Sequence, residues 1–135
     1  MACHDKKVYQ SEKAPAPIGP YSVGTGGGPF VFTAGQIGLD PKTGELVEGG
    51  IEAQTRQVFA NLSAILKDAS SCLDNVVKTT VYLLDMQDFA AMNKIYAEHF
   101  SGDYPVRTTV AVSGLPKGAL IEIDAISLLC NGDCC

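Results

Sequence analysis

The chain has 135 residues, 46% hydrophobic and 19% charged, with a net charge of -5 at neutral pH. Those proportions fit one soluble globular domain, and the acidic balance argues against general nucleic-acid binding, which needs a basic surface over the phosphates. No apolar run approaches the roughly 18 residues of a membrane span, and the charged opening "MACHDKKVYQSEK" lacks a signal peptide's apolar segment. A cytoplasmic protein with no membrane or nucleic-acid partner is therefore expected. It is read as a single domain over residues 1–135, with a short flexible N-terminus to about residue 13 and a cysteine-rich tail from about residue 130.

In chain order, "APAPIGP" from Ala14 to Pro20 should run extended, because proline lacks a donor and restricts its predecessor. "YSVGT" and "PFVFTAGQIGL" then read as two strands joined at Gly26-Gly27-Gly28. That glycine run lacks the following lysine and helix of a phosphate loop, so a hairpin turn is the better reading. "DPKTGEL" is a second turn. From Ile51 the period becomes helical: Ile51, Val58, Phe59, Leu62, Ile65, Leu66 and Ala69 form one stripe, with Arg56 and Asn61 between. "NVVKTTVYLL" returns to β-branched strand character. A second helix follows, with Asp85 as N-cap and Phe89, Met92, Tyr96 and Phe100 as its stripe, stopped by Ser101-Gly102. "YPVRTTVAVSGLPKGALIEIDAISLL" supplies two last strands joined through "SGLPKG".

The order β-β-α-β-α-β-β, with hairpins at both ends, predicts an α+β mixed sheet with two helices on one face. The opposite face is half apolar: Phe30 and Phe32 alternate with Val31, and Ile126 and Leu128 share a face with Glu122 and Asp124. Such a face in water is a liability, so packing against other subunits is expected.

Arg107, one of only two arginines, sits inside a strand. Alternation puts Val106, Thr108, Val110 and Val112 on one side and Arg107, Thr109 and Ala111 on the other. The valine-rich side should meet the helices, sending Arg107 to the uncovered face. There it either pairs with an acid across an interface or clamps a carboxylate through its planar fork. Glu122, flanked by isoleucines, should have a raised pKa suited to a general acid or to orienting water; its plainer role is as Arg107's partner or a half-exposed strand position. Neither His4 nor His99 lies in a protease-like motif. The five cysteines, with Cys3 and Cys72 isolated and Cys130, Cys134 and Cys135 crowding the end, look like neither a disulfide framework nor a zinc site. No metal is expected, and the tail "CNGDCC" is read as frayed and oxidisable.

The segments "APAPIGPYS", "FTAGQIGLDPKTGEL", "NVVKTTVYLLDMQDFAAMNKIYAEHF" and "YPVRTTVAVSGLPKGALIEIDAI" together resemble, in order and spacing, the RidA (YjgF) family of reactive-intermediate deaminases. The resemblance spans about Ala14 to Leu129. It implies a chorismate-mutase-like fold, a homotrimer with a central barrel, and sites between subunits. It also implies hydrolysis of 2-imino acids such as 2-iminobutanoate and 2-iminopropanoate to 2-keto acids and ammonia, without a cofactor. The imines would come from enamines released by pyridoxal-phosphate enzymes such as threonine dehydratase. By position, Arg107 resembles the family's carboxylate-binding arginine and Glu122 its acid near the bound water, while Tyr21, Ala34, Gly35, Asn93 and Thr109 line the site. Ala34 stands where many members have serine, and Thr109 where many have cysteine. Family resemblance also leaves an endoribonuclease acting as a translation inhibitor, a non-enzymatic metabolite binder, or a chaperone-like protein as alternatives.

Overall fold

The computed structural model describes residues 5–131 and 135; the expectations that touch Cys3, His4 and Cys134 lie outside them. The elements in chain order are β1 (Lys7–Tyr9), β2 (Gly24–Gly27), β3 (Phe30–Thr33), α1 (Gly50–Asp68), β4 (Val76–Leu83), α2 (Phe89–Ala97), β5 (Val106–Ala111) and β6 (Ile121–Leu128). The strands form one sheet in the order β1-β2-β3-β6-β4-β5. Only β4 and β5 pair in parallel; every other neighbouring pair is antiparallel. The last strand thus lies in the middle of the sheet. Because β3 and β4 both run antiparallel to β6, they are parallel to each other. Both helices therefore cross between parallel strands in the same direction, and the fixed hand of such crossovers lays both on one face.

The α1 stripe reads as its period predicts: Val58, Phe59, Leu62, Ile65 and Leu66 are all buried. Apart from Ile65, which packs with Ala14 and Val23, they pack with Met92, Tyr96 and Phe100 of the second stripe onto Val31, Val81, Leu83, Ile121, Ile123 and Ala125 of the sheet. Phe59 is the hub, edge-on to Tyr96 at 5.4 Å and stacked on His99 at 4.3 Å. Asp85 caps the turn before α2, its side chain accepting the Gln87 backbone N–H at 2.9 Å. The β2–β3 hairpin turns at Gly28, whose φ of 56° suits glycine. In the second turn the Asp40 carboxylate accepts the Lys42 N–H at 2.8 Å and Gly44 takes a φ of 73°.

Three sequence expectations are corrected. First, the final two strands do not form a hairpin: β6 inserts between β3 and β4, while β5 takes the parallel edge beside β4. A strand as apolar as "IEIDAISL" is stabilised more by two neighbours than by one. Second, the N-terminal stretch is not free throughout, because Lys7–Tyr9 pairs with Gly24–Gly26 at the other edge of the sheet. Third, the two sides of β5 are reversed. Val106 is 66% exposed on the uncovered face, whereas Arg107 points to the helix side, against Met92 and Tyr96. The valines were assigned to the core by hydropathy alone. What decides the matter is register: Arg107 pairs with Thr79, a buried residue of the helix side.

The rest of the uncovered face matches the expectation. Phe30 and Phe32 pair with Leu128 and Ile126, and all four point away from the helices together with Glu122 and Asp124. No helix among the described residues is long and apolar enough to cross a membrane. Phe59→Ala should cost about 3–5 kcal/mol of folding stability, the range for emptying a large aromatic site in a core. Chemical denaturation of the variant against the parent checks this.

Candidate functional site

The site residues named from sequence fall into two groups on opposite sides of the sheet. The first surrounds Glu122. Leaving β3, the chain is held by Ala34 N–H donating to the Val23 carbonyl at 2.8 Å. Gln36 and Ile123 then exchange backbone hydrogen bonds at 2.8 and 3.0 Å, which fixes Gly35 beside β6. A side chain at Gly35 would meet the Glu122 carboxyl carbon at 2.7 Å and its Cγ at 2.9 Å, so glycine here leaves the Glu122 side chain in place where any other residue would displace it. Tyr21 stands opposite, its hydroxyl accepting the Ile18 N–H at 3.2 Å. Tyr21, Ala34, Gly35, Gln36, Pro116 and Glu122 line a cleft of ≈ 300 Å³ with the proline-rich segment on its far wall.

Burial pushes the Glu122 carboxyl above its ordinary value, and the neighbouring carboxylate of Asp124 adds to the rise. Asp124 itself accepts the Tyr82 hydroxyl at 3.0 Å. A carboxyl raised in this way keeps its proton at a higher pH than a solvated glutamate, which suits a donor or a group that holds water.

The second group surrounds Arg107. Its guanidinium lies 4.7 Å from the Tyr96 ring centroid and 5.6 Å from that of Phe89, and Nη1 reaches the Met92 sulfur at 3.9 Å. Tyr96 is fixed by its hydroxyl against Thr79 Oγ1 at 2.7 Å. Ring faces and a thioether position a guanidinium without neutralising it. Among the described residues no carboxylate comes within ion-pair distance of Arg107; the ion pairs are Arg56–Glu98 and Lys94–Glu52. Asn93, Tyr104, Pro105 and Arg107 share a recess of ≈ 280 Å³. Asn93 Oδ1, and Thr109 Oγ1 two residues along β5 from Arg107, are buried without a hydrogen-bond partner. Polar atoms left so are costly, and a bound ligand or a neighbouring chain would satisfy them.

Thus Tyr21, Ala34, Gly35 and Glu122 come together, and Asn93, Arg107 and Thr109 come together, but a single chain does not join the two groups. Arg107 and Glu122 flank β4 on opposite faces, through the pairs Thr79–Arg107 and Tyr82–Glu122. Sequence reasoning passed over Gln36, Tyr96, Tyr104 and Pro116. It also left Asn61 on a solvated side of α1, whereas the residue is buried and donates from Nδ2 to the Ile37 and Leu39 carbonyls at 3.2 and 3.0 Å. An asparagine inside an apolar stripe was the available signal. Gln54 acts alike, accepting the Leu120 N–H at 2.9 Å, so α1 ties down the strand exits that floor the Glu122 cleft.

A mixed sheet backed by two helices, with an uncovered face and two incomplete half-sites, defines an α+β protein of the chorismate-mutase-like architecture. Comparison with known proteins makes this particular. Residues 11–129 match the family described as endoribonuclease L-PSP, and the chain belongs to that family, known also as RidA or YjgF. It is 57% identical over 122 residues to a RutC family protein of Pyrococcus horikoshii, covering 90% of this chain and 97% of that one. It is 46% identical to the 2-iminobutanoate/2-iminopropanoate deaminase of Mus musculus, covering 91% of each. Among solved structures, RidA from the Antarctic bacterium Psychrobacter sp. PAMC 21119 superposes with a TM-score of 0.88 at 43% identity, over 91% of this chain and 99% of the other. E. coli TdcF, solved with bound serine, gives 0.86 at 38%, over 92% and 99%.

The raised carboxyl has a consequence for stability. The folded chain holds the Glu122 proton more tightly than the unfolded chain does, so this residue's favourable contribution is complete below its ordinary value of 4.5 and is lost as pH climbs through the raised value. Glu122→Gln should therefore leave the melting temperature nearly unchanged in acid and raise it relative to the parent at neutral pH. Thermal denaturation across that range measures the difference.

Proposed function

We propose that this protein hydrolyses 2-imino acids to 2-keto acids and ammonia in sites assembled between copies of the chain, three of which close around their uncovered sheet faces. The observation that carries the reading is Arg107: a half-buried guanidinium on the helix side held by rings, with no carboxylate partner among the described residues and an open recess before it. That is the arrangement for a substrate carboxylate, which it can grip through two parallel hydrogen bonds. The Glu122 half-site supplies what the Arg107 half-site lacks, and apposing two copies is the economical way to unite them.

In this reading Arg107 of one copy fixes the carboxylate and so places the imine carbon. Water attacks that carbon and gives one of its protons to the imine nitrogen. Glu122 of the neighbouring copy gives the nitrogen a second proton as the C–N bond breaks and ammonia leaves, and the new hydroxyl returns a proton to Glu122 as it becomes the keto oxygen. Backbone groups around Gly35 approach the substrate closely because no side chain intervenes. Ala34 offers no hydroxyl, whereas Thr109 keeps one, so substrate preference should differ from members with serine and cysteine there. Neither a metal nor pyridoxal phosphate takes part in these steps. The net charge of -5 favours this reading over RNA cleavage, the activity in the family's name.

Coupled to threonine dehydratase, the protein should accelerate keto-acid formation, and Arg107→Ala should abolish the acceleration with the fold intact; full activity in that variant would end the clamp. The shared site has a sharper test. Arg107→Ala and Glu122→Gln subunits, each inactive alone, should regain activity when unfolded together and refolded as a mixture. Random assembly would restore about one interface in four. No recovery would place both residues in one subunit's site.

A further inference from the structure

Three cysteines, one of them far from the other two in sequence, meet at one end of the sheet. Cys72 follows α1, Cys130 follows β6, and Cys135 is the last residue; Cys72 and Cys135 are 63 positions apart. Their sulfurs all lie within 4.8 Å of one another. The expectation that Cys72 stands isolated is therefore corrected: separation along the chain hid a contact that the β6 insertion creates.

The fold itself places two of the three. Cys130 N–H donates to the Ser70 carbonyl at 2.7 Å, joining the end of β6 to the turn after α1. Ser71 Oγ bonds Ser127 Oγ at 2.7 Å and donates to the Leu128 carbonyl at 2.6 Å, and Ser127 Oγ donates to the Cys72 carbonyl at 3.4 Å. Cys72 and Cys130 are thus fixed on a hydrogen-bonded frame, both half-buried. Asn75 Nδ2 donates to the Leu128 and Leu129 carbonyls at 3.3 and 3.5 Å and also comes within 3.9 Å of Cys130 Sγ. Cys135, exposed, closes the group, with its Cα 6.0 Å from each of the other two.

The Cys135 sulfur is in bonding contact with both Cys72 and Cys130. One sulfur closes only one disulfide, so any disulfide here leaves a third thiol over. A metal ion uses all three at once, with the tail sulfur moving outward to make room for it. We propose that Cys72, Cys130 and Cys135 form a trithiolate site for a soft d10 cation, with copper(I) the best match. Thiolates select copper(I) and zinc among the common ions, and the three thiolates found among the described residues are one short of a structural zinc site but complete for trigonal copper(I). Binding converts three thiols and one cation into a tris-thiolate complex and releases three protons, with no change in oxidation state. The Asn75 N–H stabilises the charge left on sulfur. The site lies away from Arg107 and Glu122 and is independent of imine chemistry.

The test uses the full-length reduced protein under anaerobic conditions, competing for copper(I) against a chromophoric bidentate chelator. The expected result is one equivalent captured per chain, with an ultraviolet sulfur-to-metal charge-transfer band. Cys72→Ser, Cys130→Ser and Cys135→Ser should each weaken capture more than Asn75→Ala does, for which about a tenfold loss is expected. Cys135→Ser should hydrolyse imines as the parent does, which separates this proposal from the reading above. Failure of the reduced parent to compete would overturn the site. So would unchanged capture in the Cys72→Ser/Cys130→Ser double variant, which would assign binding to the tail alone. A Cys72–Cys135 or Cys130–Cys135 disulfide that persists under these reducing conditions, with no metal taken up, would overturn it as well.

Discussion

The insertion of β6 between β3 and β4 is the constraint from which the remaining structure follows. An eight-residue strand that alternates isoleucine with carboxylate is stable in the middle of a sheet only if one side is fully covered and the other tolerates charge. The helices cover Ile121, Ile123 and Ala125; Glu122 and Asp124 are left on the other side, where burial and then the Asp124 carboxylate raise the cost of ionising Glu122. The same strand holds Gly35 and Gln36 at its start and brings Cys130 to the α1 turn at its end. One pairing choice therefore orders the core, builds the acidic half-site and collects the thiols.

Much of this was legible in the chain. Both helical stripes, the hairpin at the glycines and the half-apolar second face follow from periodicity, because each is a local pattern that burial enforces along one element. The strand order was not legible. Nothing in "SGLPKG" distinguishes a hairpin from a connection that lets the last strand pass into the centre, since pairing is settled by competition among all the strands. The face of Arg107 was misread for a related reason. Hydropathy sends valine inward, but β5 is an edge strand whose valines sit on the exposed side, and α2 offers the arginine two rings and a sulfur instead. The parallel register with Thr79 outweighs the side chains' own preferences.

The candidate site was legible residue by residue but not as a geometry. Family resemblance named both Arg107 and Glu122, and physical reasoning gave each a chemistry. Only the sheet shows that a single chain keeps them on opposite faces. The supporting residues were harder to see: Asn61 and Gln54 look like solvated helix positions until the strand exits are found hydrogen-bonded to them.

That opposition acts as an insulator. A guanidinium and a carboxyl free to meet would form an ion pair, in which Glu122 would lose its raised hold on a proton and Arg107 its freedom to take a ligand. The strand between them keeps the charge unspent while the chain is alone. In the proposed assembly, competence then appears only on encounter with another copy. Protein concentration becomes a dial on turnover, and dilution silences the catalyst without unfolding it.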